Sequence, residues 1–186
     1  MIKFQKVENN QIKELADLAS SIWHEYWTCL LSPEQIDYMV ENFQSENAIK
    51  EQIENENYTY YFIKYNNSLS NGRGLNFNAN NMSIRNSGEG VVTDNENAGY
   101  FGISDKGDYL FLSKLYIKKE YRHKGIGGQA FEEIKKLANG KPVRLTVNKH
   151  NTNSINAYKK WGFKTIDAVV TDIGSGFVMD DYIMEG

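Results

Sequence analysis

Cysteine is nearly missing from this chain: Cys29 stands alone among 186 residues, so no internal disulfide can form. The three histidines are not spaced near it as ligands, which removes a zinc framework, and no metal site is expected. Cys29 itself reads as a small buried hydrophobe. Long apolar runs are missing too. No stretch approaches the ~18 apolar residues of a membrane span, and Met1 to Glu8 lacks the apolar region of a signal peptide. Excess positive charge is also lacking, with 21 Lys and Arg against 24 Asp and Glu and a net charge of −3. A duplex-coating protein needs a clustered basic surplus. These absences point to a cytoplasmic chain without membrane or nucleic-acid partners.

Aromatic residues are plentiful. Twelve Tyr, nine Phe and three Trp, within a hydrophobic share of 40%, argue for a well-packed interior. The length suits one domain over residues 1–186. Ile2 to Val7 reads as a strand. Apolar residues from Ile12 to Tyr26 recur at helical spacing, predicting a helix over 11–28. Ser32, Pro33 and Gln35 form a capping-box start for a helix over 33–43, and Ser45 caps another over 46–55. Tyr58 to Tyr65 is rich in aromatic and β-branched residues and reads as a strand.

The composition then shifts. Residues 66–97 are about a third Asn with Gly and Ser, too poor in apolar residues for a core of their own. We read them as one insertion between two strands, either a hairpin around Leu75 to Ile84 or a loop. Such a segment can cover a pocket, meet a second copy in a homodimer, or hang in solvent. Strand signals resume at Gly99 to Ile103. Tyr109 to Ile117 is almost continuously apolar, as for a central strand buried on both faces. A helix over 125–138, a strand over 143–147 and a helix capped by Asn151 or Asn153 follow. That helix ends at Trp161, with Gly162 supplying the left-handed turn. Phe163 to Val170 and Phe177 to Met184 close the chain as strands. The order predicts a mixed α/β fold.

The chemistry concentrates after the central strand, in Leu115-Tyr116-Ile117-Lys118-Lys119-Glu120-Tyr121-Arg122-His123-Lys124-Gly125-Ile126-Gly127-Gly128. A buried strand runs into a basic turn and then into glycines that open a helix. Helix N-termini expose unpaired N–H groups, and glycine lets a phosphate approach them closely. Gly125-Ile126-Gly127-Gly128-Gln129-Ala130 also matches a dinucleotide fingerprint. That fingerprint requires an acidic residue about 20 positions on, where this chain has Leu145-Thr146-Val147-Asn148. An ATP-binding loop fails because no Gly-Lys-Ser/Thr follows.

Arg122-x-x-Gly125-x-Gly127 at the end of a buried strand resembles the coenzyme A pyrophosphate loop of the GCN5-related N-acetyltransferases (GNAT). Asn151, Ser154, Tyr158 and Gly162-Phe163 resemble that superfamily's second signature, in the family's order and separation. The likeness spans nearly the whole chain. It implies a mixed, mostly antiparallel central sheet flanked by helices and acetyl-CoA as co-substrate. It also implies that Leu115, Tyr116 and Ile117 pair with the pantetheine arm along a bulged strand. Arg122, His123, Lys124, Gly125, Ile126, Gly127 and Gly128 would cradle the diphosphate. Asn151 and Ser154 would contact pantetheine, and Tyr158 would lie near the thioester sulfur as the catalytic residue. The chain departs from the family at Ser154, usually Ala, and at Ser113-Lys114, where some members carry a catalytic Glu.

The implied reaction is direct attack of an amine on a thioester, since no nucleophilic Cys or Ser–His arrangement supports a covalent enzyme intermediate. Deprotonating an alkylammonium at neutral pH costs roughly 4.6 kcal/mol, and protonating the leaving thiolate needs only about 2. Tyr158 serves the smaller demand. His24 and Glu25 are candidates for the larger one, though His24 reads as packed on an aromatic face and no base is assigned. Glu51, Glu54 and Glu56 read as a solvated face, and His150 as a surface loop residue. The N-terminal helices and Gly176-Phe177-Val178-Met179-Asp180 are broadly similar to bacterial polyamine acetyltransferases, which favours a small amine acceptor. The alternative is a coenzyme A-binding regulator without turnover.

Overall fold

The computed structural model describes residues 1–66 and 95–186. The hairpin expected around Leu75 to Ile84 lies outside the described residues. Among these, strand β1 (Ile2–Lys6) is followed by helices α1 (Ile12–Tyr26), α2 (Pro33–Phe43) and α3 (Glu46–Asn55). Strands β2 (Tyr58–Asn66), β3 (Asn95–Asp105) and β4 (Leu110–Ile117) come next. Then follow α4 (Ile126–Ala138), β5 (Val143–Asn148), α5 (Thr152–Lys160), β6 (Lys164–Gly174) and β7 (Phe177–Glu185). The sheet order is β1-β2-β3-β4-β5-β7-β6. Every neighbouring pair is antiparallel except β4 with β5. The mixed, mostly antiparallel sheet expected of the chain is therefore present, and a doubly wound dinucleotide fold is not.

Local chemistry explains the helix ends. The Ser32 hydroxyl accepts from the Gln35 amide at 3.2 Å, and Ser45 accepts from Ala48 at 3.2 Å. The full capping box expected at Ser32 does not form, because the Gln35 side chain reaches instead to the Val178 carbonyl at 3.5 Å. Asn151, rather than Asn153, caps α5 by accepting from Ser154 at 3.2 Å. Gly162 takes the predicted left-handed conformation, at φ 96°. The insertion begins later and ends earlier than its composition suggests: Asn66 pairs with Asn95 and Lys64 with Asn97.

Two packed layers bury the sheet. One face meets α4 and α5 through Phe101, Leu112, Phe131, Ile134, Leu145 and Ile155. The other meets α1 and α3 through Leu15, Ile22, Ile49, Tyr60, Phe62 and Tyr100, while Trp23, Trp27, Ile36 and Met39 join α1 to α2. Cys29 departs from expectation and is exposed, because it ends the short turn after α1 in which Trp27 takes the inward place.

One irregularity positions everything downstream. Gly102 faces Lys114 across the β3–β4 ladder while Ile103 faces Leu112, so Ser113 is an extra residue, a bulge. Before it, Leu110 and Leu112 point into the α4 face; after it, Leu115 and Ile117 do. The bulge thus reverses the alternation and sends Lys114 and Tyr116 to the side of α1 and α3. Close approach of β3 is required here. A Cβ on Gly99 would lie 2.2 Å from the Tyr116 carbonyl oxygen, a backbone atom that cannot move aside.

Gly99→Ala is therefore expected to cost about 1–3 kcal/mol, read as a lower urea midpoint with unchanged slope. Gly128→Ala is the control. It is helical and meets only Trp161 at an ordinary 3.7 Å, so stability should hold or rise.

Candidate active site

Strands β4 and β5 pair only at Leu110–Val143 and Phe111–Arg144 and then part. Past that point alternate N–H and C=O groups of β4 face a gap rather than a neighbouring strand. The gap opens into a cavity of about 720 Å³. Leu115, Tyr116 and Ile117 line it from β4, Arg122 and Gly127 from the following turn and helix, and Ser154 and Tyr158 from α5, with Asn151 from its cap. The structure thus gathers these eight predicted residues around one space. His123, Lys124, Gly125, Ile126 and Gly128 stand beside it in the turn and the start of α4, outside the wall itself.

The turn is tightly coiled. His123 and Gly125 both adopt positive φ, 60° and 75°, and Gly125 immediately precedes α4. Ile126 plugs into the core, fixing the helix whose first amides have no carbonyl one turn behind them. Gly127 also lies against a neighbour that the motif does not name. A Cβ there would come within 3.2 Å of the Trp161 ring, which lies across the first turn of α4 and stacks on Phe131 at 5.3 Å.

Arg122 is already engaged. Its Nε donates to the Ile117 carbonyl at 2.8 Å, its terminal nitrogens donate to both Glu25 carboxylate oxygens, and its guanidinium lies 4.9 Å over the Tyr26 ring. The Tyr26 hydroxyl donates to Asn151 Oδ1 at 2.9 Å and sits 3.2 Å from Ser154 Oγ. Helix α1 thereby ties the turn to the start of α5 across the split. Tyr158 meets Trp161 and Phe163 edge-on, and burial raises its hydroxyl well above the usual tyrosine range. It stays protonated at neutral pH and can donate.

His24 is not packed on an aromatic face. It bonds to the Ser20 carbonyl and to Asp37, both at 2.8 Å, joining α1 to α2 in a half-exposed position; the Asp37 hydrogen bond raises its pKa. Glu51 and Glu56 are exposed, as a solvated face should be, yet both reach the cavity rim. His150 is an exposed loop residue, as expected.

Three features escaped the sequence reading. Trp23, Tyr26, Trp27 and Tyr58 form an aromatic wall with Tyr116, whose ring lies 5.5 Å from Trp23 and 6.4 Å from Tyr26. Lys114 is only 6% exposed. Its ammonium donates to Gln52 Oε1 at 2.8 Å and to the Tyr60 hydroxyl, and burial pushes its pKa down to about 7. Asp181, on β7, is only 3% exposed and lines the same cavity.

The acetyltransferase (GNAT) domain model matches residues 77–180. This chain belongs to the GNAT acetyltransferase family. A spermidine N(1)-acetyltransferase of Thermoplasma acidophilum is 24% identical over 184 residues, 96% of each chain. The fold is that of a PaiA N-acetyltransferase from Thermoplasma acidophilum solved with coenzyme A (TM-score 0.69, 22% identity, 100% of this chain and 98% of that one). A spermidine N-acetyltransferase from Vibrio cholerae shares it at TM-score 0.59 and 12% identity, over 100% and 92%. In this GNAT acetyltransferase the parted strands, the bulge and the open helix start lie together. Among the described residues no helix is long and apolar enough to cross a membrane.

Lys114 gives a stability test. Its folded pKa lies below the ordinary lysine value of 10.5, so the unfolded chain holds the proton more tightly. Stability linked to this group is complete above 10.5 and is lost as pH falls towards 7. Lys114→Met, which leaves Tyr60 bonded to Gln52, is expected to exceed the wild type by about 1–4 kcal/mol at pH 6–7. The difference should close towards pH 10, as read from urea midpoints at each pH.

Proposed function

We propose that the protein transfers the acetyl group of acetyl-CoA to a primary amine of a small, cationic, polyamine-like molecule by direct attack on the thioester. One observation carries this reading: a single cavity runs from the parted strands into an aromatic pocket with a buried carboxylate. The parted backbone at Leu115, Tyr116 and Ile117 suits an amide-bearing arm such as pantetheine. The open amides of α4, with Arg122, His123, Lys124 and the glycines Gly125, Gly127 and Gly128, suit a diphosphate, and Ile126 anchors that helix. Asn151 and Ser154 hold the far side of the gap. Bound there, acetyl-CoA supplies the activated acyl group.

The acceptor side is built for a cation. Trp23, Trp27, Tyr58 and Tyr116 line it, and an aromatic ring that presents its face to an ammonium attracts it by about 0.5–2 kcal/mol. Glu51 and Glu56 set negative charge at the rim. Similarity to a spermidine acetyltransferase supports the same class of acceptor. Tyr158, kept protonated by burial, would hand its proton to the departing sulfur.

Thiol release from acetyl-CoA, with spermidine, a lysine peptide or an aminoglycoside, tests the reading. Release is expected with spermidine foremost. Tyr158→Phe should lower that turnover at least about 10-fold while the coenzyme-induced rise in Tm persists. Unchanged turnover would remove Tyr158 from the chemistry, and no release with any amine would overturn the function.

A further inference from the structure

Acetylation of an ammonium leaves one demand unmet, because a protonated Tyr158 cannot accept the proton that nitrogen must lose. Of the other charged groups near the cavity, Glu51 and Glu56 are exposed to water at its rim, and the rest are engaged. Glu25 holds Arg122, His24 holds Asp37, and Lys114 is turned towards Gln52 and Tyr60. Asp181 differs from all of these. It is only 3% exposed, its Oδ1 is buried without a hydrogen-bond partner, and it lines the cavity that Tyr158 also lines. Its neighbour Asp180 takes the nearby cation, Lys149, at 2.5 Å. Opposite Asp181 the sheet places Asn148 on β5 and Val169 on β6, neither of which carries a charge. Tyr116, on β4, lines the same cavity and lies within electrostatic reach of both Asp181 and Tyr158. A buried carboxylate with a spare oxygen and no cation of its own is incomplete until one arrives.

Building on the acetyltransferase reading, the geometry points to Asp181 as the seat of the acceptor's reacting ammonium and the base that takes its proton. The proton balance is complete with the groups present. The ammonium gives one proton to Asp181, which passes it to solvent, and the freed nitrogen lone pair bonds to the acyl carbon. The carbon–sulfur bond breaks, its electron pair stays on sulfur, and sulfur takes the Tyr158 proton. Nitrogen, now bearing one proton too many for an amide, returns one to Tyr158. One proton remains on the amide, one ends on sulfur, and one reaches solvent. Tyr158 and Asp181 thus work at opposite ends of the reaction, a phenol held protonated and a carboxylate able to ionise.

Burial, with Asp180 beside it and Lys149 opposing, lifts Asp181 to a pKa of about 6. Amine acetylation should therefore fall below about pH 6, where the carboxyl is protonated, and this limb should appear in kcat/KM. The test compares wild-type protein with Asp181→Asn, using Tm with coenzyme A, calorimetric titration of spermidine onto the coenzyme A complex, and thiol release across pH. We expect Asp181→Asn to keep the coenzyme-induced rise in Tm. It should bind spermidine at least about tenfold more weakly, lose at least about 100-fold in kcat, and lose the acid limb. Asp181→Glu should regain part of the rate with a shifted limb. An Asn variant within threefold of wild type, or one that changes only KM and keeps the limb, overturns the proposal. If the Asn variant no longer responds to coenzyme A, the Glu variant decides, and an unmoved limb there counts against Asp181. Wild-type protein that responds to coenzyme A but neither binds spermidine nor releases thiol with any amine overturns the acetyltransferase reading itself.

Discussion

Strands β4 and β5 share only two residue pairs before they separate, and the rest of the site depends on that separation. A sheet normally satisfies every backbone group of a central strand. Here β3 serves one edge of β4 while the other edge opens onto the cavity. Such a gap is stable only if neighbouring elements hold its sides apart. Helix α1 does so from one side through Tyr26, which bonds to Asn151 and Ser154 at the start of α5. The bulge at Ser113 does the rest by turning Tyr116 towards the aromatic wall. Without the extra residue, Tyr116 would point into the α4 core and Leu115 towards α1 and α3.

The pocket on the α1 side carries two buried ionisable groups of opposite sign, Lys114 and Asp181, that do not pair with each other. Each is desolvated in a different setting. Lys114 is surrounded by fixed donors and acceptors from α3 and β2, so it is a finished structural contact. Asp181 has no such shell. A fold minimising its free energy would place a neutral residue at both positions, and buried charges that remain unneutralised concentrate where a site acts on a ligand.

Much of the fold was legible because its signals are local. Ser32, Ser45 and Asn151 announce helix starts through a side-chain oxygen that accepts from the amide three residues on, and Gly162 announces an end through its own φ. The glycine-rich turn after β4 was legible for the same reason. What escaped detection needs two distant segments. Asn66 and Asn95 have loop composition, yet pairing between strands makes both strand residues. The bulge at Ser113 exists only relative to β3. Gly127 looks like a phosphate-loop glycine, but it also lies tight against Trp161, from the end of another helix. Asp181 follows another aspartate in a strand near the chain's end, a pattern that suggests solvent. Its burial follows from β7 lying between β5 and β6 in the folded sheet.

The pairing of Arg122 with Glu25 sets the terms on which any anion enters. The guanidinium is not an empty receptor, because a carboxylate of the protein's own already occupies its fork. On the proposed reading a diphosphate would meet Arg122 through the two guanidinium N–H donors that Ile117 and Glu25 leave unused, together with the open amides of α4. Glu25 would then keep the guanidinium aimed rather than compete for it. Because Glu25 and Tyr26 are adjacent on α1 and Tyr26 holds Asn151, one helix sets the positions of both ends of the cavity.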